Sequence, residues 1–240
     1  MASFFDAEKN VPENRPRRNF VFMAYPYTPV LPAADYRAAV RALQNELPVR
    51  FWYFLDETTT AELMRKVWRA ILRADLAVFD ISEGNPNVAF ELGLSVANGR
   101  RSITLLNTGA KNPLGAADLG YSERIEYDSI KVLKEQLAKI VMAHSSGLRT
   151  LKDLSYEIGD DTAEAYDKLL ELVMWVFRHK YITRPKAREI MGTDAAAGTA
   201  LVKLREKGVL RVSGTKRGAR WVFTEEWVDH DHEVSGESYS

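Results

Sequence analysis

Residues 80–93 read Asp-Ile-Ser-Glu-Gly-Asn-Pro-Asn-Val-Ala-Phe-Glu-Leu-Gly, a stretch that crowds carboxylates, a hydroxyl and two carboxamides between apolar neighbours. Before it lies Leu76-Ala77-Val78-Phe79, an apolar run of buried-strand type, and from Val88 onward the pattern is that of a helix. Asp80 therefore closes a strand at its carboxyl end, where open α/β sheets keep their ligands, and its side chain is expected to face the crevice. Asn85 or Asn87 can cap the helix that follows. Asn87 and Glu91 are four residues apart and share a helix face. Glu91 is expected in roughly the first turn, where the helix dipole favours the ionised form. Gly93 leaves room for close approach by backbone or ligand. A carboxylate held charged in a cleft among amides and hydroxyls can attack, or stabilise, an electron-poor sugar carbon, which is the chemistry of glycosyl transfer. The same residues fit a plainer account, in which Glu91 is a solvated helix residue and the asparagines are caps alone.

The elements that must position these residues form a regular alternation. Residues 1–18 are polar and read as a loose leader. From Asn19, "NFVFMAYPY" is a first strand ending in a proline-punctuated loop, and "DYRAAVRALQNEL" is a helix with Tyr36, Ala39, Val40 and Leu43 on one stripe. "VRFWYFLDE" predicts a second strand, and "TTTAELMRKVWRAILRAD" a second helix with Leu63, Val67 and Ile71 inward and threonines available as caps. After the third strand and helix come "RSITLLN", "ERIEYDS" and a closing helix over "IKVLKEQLAKIVMAH". Strands separated by helices predict a parallel sheet covered on both faces, and this number of units fits a flavodoxin-like α/β domain over residues 19–146.

The character changes after residue 150. A helical linker leads to a short helix over "RPKAREIMG", a turn at Gly192-Thr193-Asp194, a helix over "AAAGTALVKLREKG" and a hairpin with "SGTKRGAR" at its tip. That order, over residues 151–228, predicts a winged helix-turn-helix, and residues 229–240 read as a disordered acidic tail. Between Lys180 and Trp221 there are eleven Lys/Arg against three Asp/Glu. Lys203, Arg205 and Lys207 on the longer helix, with Lys216, Arg217 and Arg220 on the wing, are the candidates for nucleic-acid phosphates. Only Thr193, Asp194 and Thr199 stand as base readers, so any sequence specificity would be weak. A protein-interaction module with solvated charges is the other reading.

Composition narrows the classes. The 240 residues carry 33 Lys+Arg and 33 Asp+Glu, so the basic module is balanced by acidic segments elsewhere. With no cysteine, a disulfide framework, a zinc ribbon and a thiol nucleophile are excluded. The four histidines lack metal-ligand spacing, so no metal site is expected. No Gly-x-Gly-x-x-Gly follows the first strand and no Walker-type loop is present, which argues against a bound redox dinucleotide and against an ATPase. No signal peptide or membrane-length apolar run is read, and a cytoplasmic location is expected. Arg100 and Arg101 could meet a phosphate, or simply flank a strand in solvent.

"DISEGNPNVAFELGLSVANGRRSITLLN" resembles the signature of nucleoside 2-deoxyribosyltransferase-like proteins and of their relatives among bacterial Toll/interleukin-receptor (TIR)-like domains. "FVFMAYPYT" is similar to the first strand and ligand loop of that group. The likeness covers roughly residues 19–140 and is sharpest over 80–93. It implies that Glu91 is the catalytic carboxylate, acting on C1′ of a ribosyl or deoxyribosyl unit with Asp80 beside it. It further implies that Asp80 and Asn87 hold the base or the sugar hydroxyls, that Ser82, Asn85 and Asn87 shape the pocket, and that Tyr25 or Tyr27 lines the pocket for the nucleobase. Where the transferases have a Gly-Thr-rich or aromatic lead-in, this chain has Asn85-Pro86-Asn87-Val88. What is shared is cleavage of an N-glycosidic bond, in a nucleoside, a nucleotide or NAD as substrate, with no cofactor. Homo-oligomers and a role in bacterial defence are further implications of the resemblance. A non-catalytic, nucleotide-sensing DNA-binding regulator is the competing expectation.

Overall fold

The structure, a computed structural model, describes residues 9, 11, 14–26, 31–53, 61–114, 123–159, 162–215 and 219–227. Five strands form one parallel sheet: β1 (Arg17–Ala24), β2 (Arg50–Trp52), β3 (Ala74–Asp80), β4 (Ser102–Asn107) and β5 (Glu123–Tyr127), in the order β2-β1-β3-β4-β5. This is the flavodoxin-like order, with its switch point between β1 and β3.

Side-chain parity divides the core. Val21 and Met23 of β1, Leu76 and Val78 of β3, and Ile103 and Leu105 of β4 face α1 (Ala33–Glu46) and α4 (Ile130–His144). Their neighbours Phe20, Phe22, Ala77 and Phe79 face α2 (Ala61–Arg73) and α3 (Pro86–Ala97). A strand covered on both faces has no polar side, which is why β1 and β3 are near-continuous apolar runs in the sequence.

One boundary differs from expectation. β1 begins at Arg17, inside the stretch read as a leader, because Arg17 pairs in register with Ala74 and the Arg18 N–H donates to the Glu226 carbonyl. Among the described residues β2 covers Arg50–Trp52, and residues 54–57 of its aromatic-rich run lie outside them. The threonines expected to cap α2, and Tyr27, lie outside the described residues.

Beyond α4 come α5 (Ser146–Ile158), α6 (Thr162–His179), α7 (Arg184–Met191) and α8 (Asp194–Glu206), then an antiparallel pair, β6 (Leu210–Ser213) and β7 (Arg220–Phe223). Gly192, at φ 86°, ends α7 in a conformation costly for any other residue, and the Thr193 hydroxyl caps α8 by accepting the Ala196 N–H. The apolar cluster on the α1/α4 face continues without a break through Leu148, Leu151 and Leu172 to Leu204 and the fully buried Trp227. Sheet and C-terminal helices thus share one core. Among the described residues no helix is long and apolar enough to cross a membrane.

The seam between the two parts is polar and tight. The Ser145 hydroxyl donates to buried Asn19 on β1, and the start of α5 lies so close that a Cβ on Gly147 would overlap the Asn19 carboxamide. Gly147→Ala is therefore expected to cost about 1–3 kcal/mol through overpacking. Urea denaturation should show a lower midpoint with an unchanged slope.

Candidate active site

Asn85 is the N-cap of α3: its Oδ1 accepts the N–H groups of Asn87 (2.8 Å) and Val88 (3.3 Å), and Pro86 opens the helix with a fixed φ. That cap sets the angle at which α3 leaves the loop after β3, and with it the position of Glu91. Phe22, Ala24 and Tyr25 from β1 and the residue following it, Trp52 from β2, Leu63, Met64 and Val67 from α2, and Asn85, Asn87, Phe90 and Glu91 enclose a cleft at the carboxyl edge of the sheet. Its wall is aromatic, with Phe22 and Trp52 stacked at 5.3 Å, and Phe90 is 47 % exposed at its edge.

Glu91 is half-buried against this wall, and burial pushes its carboxyl up from the ordinary range to about 7. This departs from the expectation of a carboxylate held charged by the helix dipole. With Pro86 first in the helix, Glu91 falls in the second turn, where the dipole's effect has largely gone, and desolvation decides. Tyr25 stacks on Tyr36 at 4.9 Å, and among the described residues its buried hydroxyl has no hydrogen-bond partner. Burial first, then the neighbouring Tyr53, raises the Tyr25 phenol to about 12, with Arg37 opposing, so it carries its proton at neutral pH. Gly93 faces open space among the described residues, so no neighbouring backbone makes the close approach.

Asp80 and Ser82 do not line the cleft. On β3, Asp80 shares the parity of Leu76 and Val78 and points to the α1/α4 side, away from α3. It is fully buried there, and its Oδ2 accepts both the Tyr36 and the Tyr127 hydroxyls at 2.5 Å while Oδ1 accepts the Ser82 N–H at 2.9 Å. The two tyrosine hydroxyls also touch each other. Burial, then the Asp80 charge, raises both phenols well above their usual range. The Ser82 hydroxyl in turn accepts the Asn107 N–H (2.7 Å). Asp80 is thus a buried tie between α1, β3 and the end of β5. The side chain expected to face the crevice is corrected to a buried one that holds the loop, and Ser82, expected in the pocket, is corrected to part of the same tie.

Of the sequence-predicted pocket residues, Tyr25, Asn85, Asn87 and Glu91 come together. Arg100 and Arg101 precede β4, at the opposite end of the sheet from the cleft, and cannot serve it. Residues the sequence reading missed are Phe22, Trp52, Met64 and Phe90. The alternation of β1, which puts Phe22 and Ala24 on one face, was the available signal for the first. Among the described residues, no group of three or more His, Asp and Glu could hold a metal ion.

On the C-terminal unit, Lys203 and Lys207 are not free cations: they reach Glu157 of α5 at 3.4 and 2.7 Å. Arg184 grips Asp194 at the start of α8 through two hydrogen bonds, of 3.1 and 2.8 Å. Arg205 is exposed, and Arg220 is exposed with its guanidinium over the Tyr181 ring. Lys216 and Arg217 lie outside the described residues. Neither a family model nor a curated protein matches this chain.

If Asp80 is a buried tie, Asp80→Asn should lower stability by about 2–4 kcal/mol, because the tyrosine hydroxyls lose a charged acceptor. Chemical denaturation checks this. A variant of unchanged stability with lost activity would restore Asp80 to the chemistry.

Proposed function

We propose that the α/β unit is an enzyme that cleaves a base–sugar bond, with Glu91 as the carboxylate that meets C1′. The observation that carries this is the placement of Glu91: half-buried in an aromatic-walled cleft, at the carboxyl edge of a doubly wound sheet and beside its switch point, with Asn85 and Asn87 lining the same cleft. Aromatic faces suit a planar base. Asn85 caps the helix and leaves Asn87, one turn before Glu91, available to a sugar hydroxyl.

As the C1′–N bond breaks, its electron pair leaves with the base, and the sugar carbon acquires oxocarbenium character. The Glu91 carboxylate, poorly solvated in the cleft, either bonds to C1′ or stabilises that charge; water or a second base then takes the sugar. A nucleoside, a nucleotide or NAD is the substrate class, and no cofactor is required.

The order of α7, α8 and the β6–β7 hairpin supports reading the C-terminal unit as a winged helix, a docking element for nucleic acid or a protein partner. Self-association and a place in bacterial defence belong to the same proposal and rest on the resemblance of residues 80–93, while cytoplasmic residence rests on the apolar pattern of the sequence.

Incubation with NAD⁺, ribonucleotides, deoxynucleotides and nucleosides, with released base followed by liquid chromatography, tests the reading. Wild type should release base, and Glu91→Gln should be slower by on the order of a thousandfold or more. The ionised carboxylate is the working form, so kcat/KM should be low in acid and rise with pH through about 7. No release from any pool, with ligand binding retained in both proteins, would leave a nucleotide sensor in place of an enzyme.

A further inference from the structure

The end of the sheet remote from the cleft collects arginines from three parts of the chain. Arg18 lies near the start of β1, Arg100 and Arg101 just before β4, and Arg149 in the first turn of α5. Backbone and side-chain bonds bring them together. β1 and β3 pair from Arg17 and Ala74, which puts Arg18 beside Asp75. The Ala77 N–H donates to the Arg101 carbonyl, so the residues before β4 lie at the same end of β3. The Ser146 N–H donates to Asp75 Oδ2 at 2.6 Å, which fixes the start of α5 there. The Arg18 guanidinium reaches the Thr150 hydroxyl of α5 at 3.4 Å.

Few anions answer these cations. Arg18, Arg100 and Arg149 all act on one carboxylate, Asp75, and one of its oxygens is already engaged by Ser146. Glu123, at the start of β5, is held by His144 at 3.3 Å. Among the described residues, none of Arg18, Arg100, Arg101 and Arg149 forms an ion pair. Arg100 is half-buried, and its buried Nε–H has no acceptor among the described residues. Such donors are rare in folded proteins. Burial works against the Arg100 charge, and Asp75 is the group that opposes this. Arg149 stands where the dipole of α5 favours an anion, and that first turn has no acidic residue.

We propose that this edge binds a phosphate group, with Arg18, Arg100 and Arg149 around it and the N-terminus of α5 behind it. A phosphate presents oxygens in several directions and can meet guanidinium groups that arrive from separate elements. A carboxylate is planar and is satisfied by a single guanidinium fork. Asp75 offsets one of the three charges and leaves the others to the ligand. Because the arginines lie on β1, before β4 and on α5, a bound phosphate ties the sheet to the C-terminal helices. The site is at the opposite end of the sheet from Glu91 and independent of its role. Its phosphate belongs to a small phosphorylated molecule or to a phosphodiester strand.

Titration of the full-length protein with inorganic phosphate, at an ionic strength held constant with chloride, tests this through the backbone amide signals of Arg100, Arg101, Ser146 and Gly147. Saturable shifts are expected at these amides. Arg100→Gln and Arg149→Gln together should weaken binding on the order of tenfold or more, with the remaining signals in place. Arg149 is exposed, so Arg149→Gln alone keeps the test valid if the double variant fails to fold. Arg124→Gln, which removes an arginine of β5 beside Glu126, should bind as wild type does. Displacement of phosphate by a nucleoside monophosphate would assign the site to a small molecule, and displacement only by a single-stranded oligonucleotide would assign it to a strand. Shifts that do not saturate, or an Arg149→Gln protein that binds phosphate as tightly as wild type, would overturn the proposal.

Discussion

The carboxyl edge of the sheet is organised around one buried charge. Asp80 ends the central strand with no access to solvent, and three donors converge on it: a tyrosine from α1, a tyrosine from the end of β5 and the backbone of Ser82. A buried carboxylate is tolerated only when such bonds replace water, and removing any of them leaves its partners unsatisfied. The bonds fix where the chain leaves β3. Through Ser82 and Asn107 they extend to the end of β4, and through Asn85 they are followed by the cap that starts α3. The placement of Glu91 depends on all of these.

Asp80 and Glu91 therefore have opposite roles, decided by which side of the sheet each meets. Asp80 is surrounded by donors and serves as an acceptor that joins elements. Glu91 is surrounded by aromatic and aliphatic groups from β1, β2 and α2, and nothing offsets its desolvation. A carboxylate so placed is a poor structural element and a good reagent, because the same environment that resists its charge strengthens its attraction to a developing cation.

Much of this was legible in the sequence. The apolar runs of β1, β3 and β4 and the stripes of α1 and α2 gave the doubly wound sheet, and Asn85-Pro86 announced its helix cap. What the sequence left open depended on distant residues. Tyr36 reads as one member of an apolar stripe, and its bond to Asp80 joins positions 44 apart; Tyr127 is 47 away. Parity along β3 did contain the clue that Asp80 turns with Leu76 and Val78, but a strand-end residue can bend either way. The burial of Glu91 is invisible locally, since its apolar wall comes from other elements. Lys203 and Lys207 looked like free cations because Glu157, which pairs with them, lies on α5, three helices earlier in the chain.

The most direct test is the titration of Glu91 itself, followed by ¹³C NMR of its side-chain carboxyl and assigned against Glu91→Gln. A midpoint near 7 is expected if the cleft desolvates the carboxylate and readies it for chemistry. A midpoint in the ordinary glutamate range of about 4.3 would make Glu91 a solvated helix residue and contradict its role at C1′.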